Sequence, residues 1–434
     1  MLAQLLGFCL FACNSALNRR YCAFGTGNIP VEVAFHFNLS AFTFRLAMNS
    51  RQMMTLLIAL CTATFFVTSA GASMAPFLNL ITRDLASTLP AIAHLFSIQA
   101  LAWGVASLVA GLFADRFGRR AILVGGVFMM GIMRLGFATS DTYAAAMGWQ
   151  ILSGIGGGAF MGIVYAVVSE NATPGMRGRA MSWVITGQSL SLVLGVPLVT
   201  LLGALGGWRG AIATHGVFVL LSAIAVRLTT PSDPVRHPHT AHAKIPYAAL
   251  FKPKLIALLV AGTTERMCFA VVAIFLPAYL QHAYDIALGG LALVLGLVAA
   301  GNLTGNIVGG RIADHTRLRA RVFAIGSALT AVVALPLLAW HPGLAVSVAL
   351  GFVFSFVNAA GRPSLMATLA EVPSELRSAL FGLNITMASM GWLLAGSVGG
   401  WLIAISGFAG LGAFCALVAA LGCGLALFSA TKAR

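Results

Sequence analysis

Four charged side chains lie inside long apolar runs of this 434-residue chain: Arg134, Glu265, Arg266 and Arg362. A charge in hydrocarbon is rare and costly, and by default it marks function. Glu265 is the acid set deepest in such a run. Water exclusion disfavours ionised carboxylates in general, so an acid held within a membrane can take up and release a proton near neutral pH. The alternative is an ion pair of Glu265 with Arg134 or Arg362 that only holds helices together. Arg266 follows Glu265 directly, about 100° round a helix, so the two do not face one cavity squarely. His94 and His215 can relay protons or sit as hydrogen-bonded core histidines. No GxxxxGK[ST], G-x-S-x-G or HExxH motif occurs, so neither nucleotide hydrolysis nor another enzymatic reaction is expected.

Uncharged polar residues recur in the same runs: Gln99, Gln150, Gln188, Asn302, Asn306, Asn358 and Asn384. With apolar faces such as Phe65 and Phe269 they describe a mixed, mostly neutral cavity, suited to an uncharged or weakly cationic amphipathic solute. No cluster of buried Arg or Lys is expected to answer a multiply charged one.

Those residues must be carried by helices in a bilayer. Residues are 59% hydrophobic and 9% charged, where soluble proteins carry roughly 25% charge; so few charges cannot solvate a globule of this length. Reading about 20 residues per crossing, the apolar runs predict twelve spans: 53–78, 90–113, 121–139, 144–167, 180–204, 209–226, 255–280, 286–309, 321–340, 344–366, 379–405 and 409–430. Lys and Arg crowd the even-numbered loops, which predicts that those loops and both termini are cytoplasmic. The net charge of +15 follows from that bias and not from a nucleic-acid partner. A proline-rich stretch, 227–254, reads as a linker between a six-helix bundle at 48–226 and another at 255–434. His237, His239 and His242 within it read as solvated linker. Residues 1–47 read as a dispensable extension, too short in its apolar part to span. Seven cysteines without metal-ligand spacing imply no zinc site. No cofactor is expected.

The loop after span 2 runs Gly111-Leu-Phe-Ala-Asp115-Arg116-Phe-Gly118-Arg119-Arg120, and the loop after span 8 runs Gly310-Arg311-Ile-Ala-Asp314 into further basic residues. Two such stretches at equivalent places resemble the paired GxxxDRxGRR signature of the major facilitator superfamily. Arg177-Gly-Arg-Ala-Met, Gly195-Val-Pro197 and Gly207-Trp208-Arg209 are similar to its twelve-span drug and sugar (arabinose-efflux-like) exporters. The resemblance implies an all-α fold of two pseudo-symmetric six-helix bundles that rock about a central cavity. It implies proton-coupled export of a small organic solute, with uptake symport or facilitated diffusion of a metabolite as the alternative, and a non-transporting receptor as a more distant one. It places the chain in the inner (plasma) membrane as a multi-pass monomer whose partners are solute, proton and lipid. Gly111, Asp115, Arg116, Gly118, Arg119, Arg120, Gly310 and Asp314 become a conformational latch, with Gly111 admitting a close helix approach. The glycines Gly154, Gly156 and Gly158, with Gly195 and Pro197, become packing and kink positions. Exporters of this group carry an arginine where Gln150 stands, which leaves the coupling role to other residues.

Overall fold

The computed structural model describes residues 50–172, 176–231, 252–340, 342–369, 371 and 374–430. The extension 1–47 and the three linker histidines lie outside them. The described residues are helical almost throughout: α1 Ser50–Ala72, α2 Leu78–Asp84, α3 Leu89–Phe117, α4 Arg119–Ala138, α5 Tyr143–Asn171, α6 Arg177–Leu190, α7 Val196–Thr229, α8 Pro253–Tyr284, α9 Leu288–His315, α10 Arg319–Ala339, α11 Leu344–Leu369 and α12 Ser374–Ala430. Local chemistry sets several of the ends. The Thr88 and Thr142 side chains accept from Ala91 N and Ala145 N and cap α3 and α5. Pro253 opens α8, where its missing N–H costs nothing.

Ten helical stretches among the described residues are long and apolar enough to cross a membrane, against the twelve that the sequence predicts. The difference lies in two stretches, Ala180–Thr229 of 50 residues and Gly382–Ala430 of 49. Each is about twice the length of one crossing. Each is broken at glycine: Gly207 has φ 70° and ψ 168°, and Gly407 has φ 63° and ψ −162°. A side chain would be strained there, and the helix cannot run through such a backbone. The other predicted spans fall on single helices, save that the first gives way after Ala72 to a short 3₁₀ turn, Ala75–Phe77, and α2. The kink expected at Gly195-Val-Pro197 takes the form of a π-helical turn, Ser191–Gly195. Pro197 has no N–H to offer the turn before it, and a π-bulge is one way of absorbing that loss.

Helices α1–α7 pack chiefly on one another, as do α8–α12. Small residues make this possible. On α5, Gly154, Gly158 and Gly162 lie against the carbonyl oxygens of Gln99, Trp103 and Ser107 on α3, while Gly156 lies against Gly126 of α4. On α9, Gly301, Gly305 and Gly309 lie against the carbonyl oxygens of Phe352, Phe356 and Ala360 on α11. Both stripes repeat every fourth residue, so the glycines share one helix face.

The two sets meet at one end. A single apolar core there joins Phe77, Ile81, Phe96 and Trp208 of the first set to Phe275, Tyr279, Leu280 and Leu411 of the second. At the opposite end each set has a core of its own, around Leu123, Phe160 and Val164 in the first and around Leu258, Phe323 and Leu365 in the second.

Candidate functional site

Glu265 and Arg266 sit midway along α8, and Arg362 projects from α11 toward them. The Glu265 side chain is only 3% exposed. Arg362 Nη2 donates to its Oε1 at 2.6 Å, and Arg266 Nε stands 3.5 Å from its Oε2. Asn358 Nδ2 donates to the Glu265 carbonyl oxygen at 3.3 Å, which ties α11 to α8 one turn away. Arg362 also lies over the Phe269 ring, 5.7 Å from its centre, and Trp392 of α12 meets that ring edge-on. Arg266 is more open, at 29% of its side chain. It comes within electrostatic reach of Tyr165 on α5, whose hydroxyl donates to Gln188 Oε1 at 3.3 Å. This cluster therefore lies where the two sets face each other.

A cleft adjoins it at Phe269. Phe269, Leu276, Asn302 and Ser355 line it from the second set, and Ala72, Leu192 and Val196 from the first. Asn306 donates to Asn302 Oδ1 at 3.0 Å. The buried Asn302 Nδ2, Arg362 Nε and Asn358 Oδ1 have no hydrogen-bond partner among the described residues. Buried polar atoms in that condition call for an outside partner, such as water or solute.

The other candidates divide. Arg134 does not approach Glu265. It is fully buried in the first set, donates to Ser73 Oγ at 2.6 Å and to Ala70 O at 3.2 Å, and so sits on the C-terminal end of α1. That end carries unpaired carbonyls and partial negative charge, which answer a guanidinium without a carboxylate. His215 joins the same group, with Nε2 2.9 Å from Ser69 Oγ. The pairing alternative open for Glu265 thus resolves to Arg362. Gln99 and Gln150 are buried within the first set, on Ser153 and on Met74. Asn384 Nδ2 lies 3.8 Å from Met366 Sδ within the second. Phe65 packs edge-on against Phe66, 5.0 Å between centres, and beside Gly195. The cleft's own lining is neutral, but the expectation of no clustered arginine needs correction: Arg266 and Arg362 are far apart in sequence but share one carboxylate, a closeness created by the α8–α11 packing.

The repeated Gly-to-Asp loops lie at the end where the two cores are separate. Arg119 pairs with Glu170 at 2.5 Å and Arg120 donates to Arg227 O at 2.6 Å, both inside the first set. Asp115 and Arg116 are exposed, and Arg116 lies over Phe117. Gly118, at φ 90°, separates α3 from α4. In the second copy Asp314 is exposed, and Arg319 pairs with Glu371 at 2.6 Å. A Cβ at Gly111 or Gly310 would meet nothing within 4 Å, so neither glycine is at a close helix contact in this conformation. Close contacts between the sets fall elsewhere: Gly396 and Gly400 of α12 on Ala93, Ser97 and Pro90 of α3, and Gly104 of α3 on Ser389. Asn79 Nδ2 donates to Gln281 Oε1 and Gln281 Nε2 to Pro76 O, each at 3.0 Å, at the same end as the shared core. Asp84 binds Arg209 and accepts from Trp208 Nε1 at 2.8 Å, which anchors the Gly207-Trp208-Arg209 segment. None of Ser73, Tyr165, Trp392 or Gln281 was singled out by sequence, and no local pattern marks them. The stripe of Gly301, Gly305 and Gly309 does stand visible there in its four-residue spacing.

A family model described as Major Facilitator Superfamily matches residues 60–318 and 258–434. The chain is 26% identical over 377 residues to the inner membrane transport protein YdhP of Escherichia coli K12, covering 86% of this chain and 94% of that one. It is 25% identical over 311 residues to a chloramphenicol resistance protein of Streptomyces lividans, covering 70% and 73%. The solved structure of a bacterial homologue of the human lysosomal transporter Spinster, in an inward-facing and unoccupied conformation, shares its fold. The TM-score is 0.72 at 14% identity, over 88% of this chain and 98% of that one.

Proposed function

The chain belongs to the Major Facilitator Superfamily, and we propose that this membrane transporter exports a small organic solute by proton-coupled alternating access. Glu265 carries the reading. It is a buried carboxylate at the meeting of the two helix sets, held by two arginines and next to a cleft lined from both sets. Taking up a proton there releases both guanidiniums, and losing it restores the pair. Protonation is thereby linked to the packing of α8 on α11 and to whatever occupies the cleft. The kinship with a resistance protein supports the export direction.

In this reading the chain crosses the inner membrane twelve times, the two long stretches each crossing twice about their glycine breaks. Residues 48–226 and 255–434 are the moving halves, 227–254 links them, and the protein acts as a monomer. The basic loops and both termini face the cytoplasm. The shared core and the Asn79–Gln281 contact then close the outer side, and the conformation is inward-facing. The open space at Gly111 and Gly310 is filled when the cytoplasmic ends of α3 and α9 close in the opposite state, with Asp115 and Asp314 completing the latch.

A second reading, uptake by symport, draws on the same cluster. Protonated Glu265 leaves two guanidiniums uncompensated, which favours simultaneous binding of a proton and an anion. Flux in proteoliposomes under a pH gradient tests both. A panel of sugars, nucleosides, organic acids and cationic dyes is run on the wild type and on Glu265→Gln. Solute-dependent proton movement that the variant loses is expected. Opposed movement of solute and proton means export by antiport, and parallel movement means symport. Solute flux without proton movement in the wild type removes Glu265 from coupling.

A further inference from the structure

We infer that Arg266 and Arg362, with Glu265 between them, receive the carboxylate of an organic monoanion whose apolar body lies in the cleft at Phe269; this rests on the transporter reading above in its symport form, where proton and anion bind together, and names its substrate class. Two guanidinium charges against one carboxylate leave the cluster with one positive charge, set among apolar side chains. A net charge in such surroundings is costly until something neutralises it. Among the described residues the groups facing Glu265 supply no second acid: Arg362 comes from α11, Arg266 and Cys268 from α8 itself, Tyr165 stands beyond Arg266, and Cys268 Sγ donates to the Cys415 carbonyl oxygen of α12.

Two of the three unpartnered buried atoms here, Arg362 Nε and Asn302 Nδ2, are donors without acceptors among the described residues, and the third, Asn358 Oδ1, is an acceptor. Arg266 touches Glu265 only at 3.5 Å and keeps 29% of its side chain exposed, so it is open to a further acceptor. An ammonium group would meet the two arginines first. A planar carboxylate is the partner to which a guanidinium offers paired donors. Beside the charge, Phe269, Leu276 and Val196 present an apolar wall, which suits a short alkyl or aryl body and poorly suits a second charge.

The test is calorimetric titration of the full chain in lipid nanodiscs with benzoate and hexanoate, their amides benzamide and hexanamide, and benzylammonium. Both acids should bind, the amides should bind at least about tenfold more weakly, and benzylammonium should not bind. Arg266→Gln should weaken the acids at least about tenfold, and Arg266→Lys should keep part of the affinity. Glu265→Gln should tighten them at least about tenfold, because a carboxylate that competes for the same two guanidiniums is removed. A purely structural ion pair predicts the reverse for that last variant. Thermal melting of each variant separates lost binding from lost folding. Amide or ammonium binding as tight as the acid, absence of acid binding, or a weakened acid in folded Glu265→Gln each overturns the assignment. Neutral solutes that move protons in proteoliposomes, with no acid binding, refute the substrate class and leave the transporter reading intact. Acid binding of the expected pattern without proton movement does the opposite.

Discussion

Arg134 and Glu265 show how differently a charge can be accommodated inside one bundle. Arg134 is answered by a helix end and a hydroxyl, Glu265 by two opposite charges. We propose that the first arrangement is structural: Arg134→Gln removes the guanidinium from the Ser73 hydroxyl and leaves the Ala70 carbonyl only its Ser73 Oγ donor, and a loss of about 2 kcal/mol is expected. Thermal melting in detergent measures it, and proton-coupled flux per folded molecule should be unchanged. An unaltered melt with lost coupling would place Arg134 on the proton route instead. Sequence marked all four intramembrane charges, because a charge in an apolar run is visible in one dimension. It did not show who pairs with whom. Glu265 and Arg362 meet only once α8 and α11 are packed, and Arg134 finds carbonyls, which every residue has and no sequence distinguishes.

Helix by helix, most spans were legible from apolar length. What apolar length did not reveal is the backbone of the joints: the positive φ at Gly407 that breaks α12, and the π turn that joins α6 to α7. Those depend on single backbone angles and on a missing N–H. The glycine stripes on α5 and α9 yield a paired prediction. Gly158→Leu and Gly305→Leu drive a side chain into the Trp103 and Phe356 carbonyls and should each destabilise the protein by about 1–3 kcal/mol. Gly111→Leu enters open space in this conformation and should leave the melting temperature unchanged. It should still slow transport severalfold if the cytoplasmic ends must close on it. Equal melting losses in all three variants would contradict the geometry at Gly111.

In the molecule as a whole, one end is sealed by shared core and hydrogen bonds while the other end has two separate cores. Gln281 bridges the sealed end with one donor and one acceptor bond. Gln281→Leu removes both, about 1 kcal/mol each in net terms, and should shift the balance about thirtyfold toward the opposite conformation. Spin-label distances across that end should lengthen, and an unchanged distribution would mean the apolar core alone holds it shut. Because that core binds Phe77 and Phe96 to Phe275 and Tyr279, opening it to water exposes apolar surface and carries a positive heat-capacity increment. The enthalpic barrier to switching sides therefore grows on warming, and the cycle becomes steadily more temperature-sensitive the warmer the membrane in which it turns.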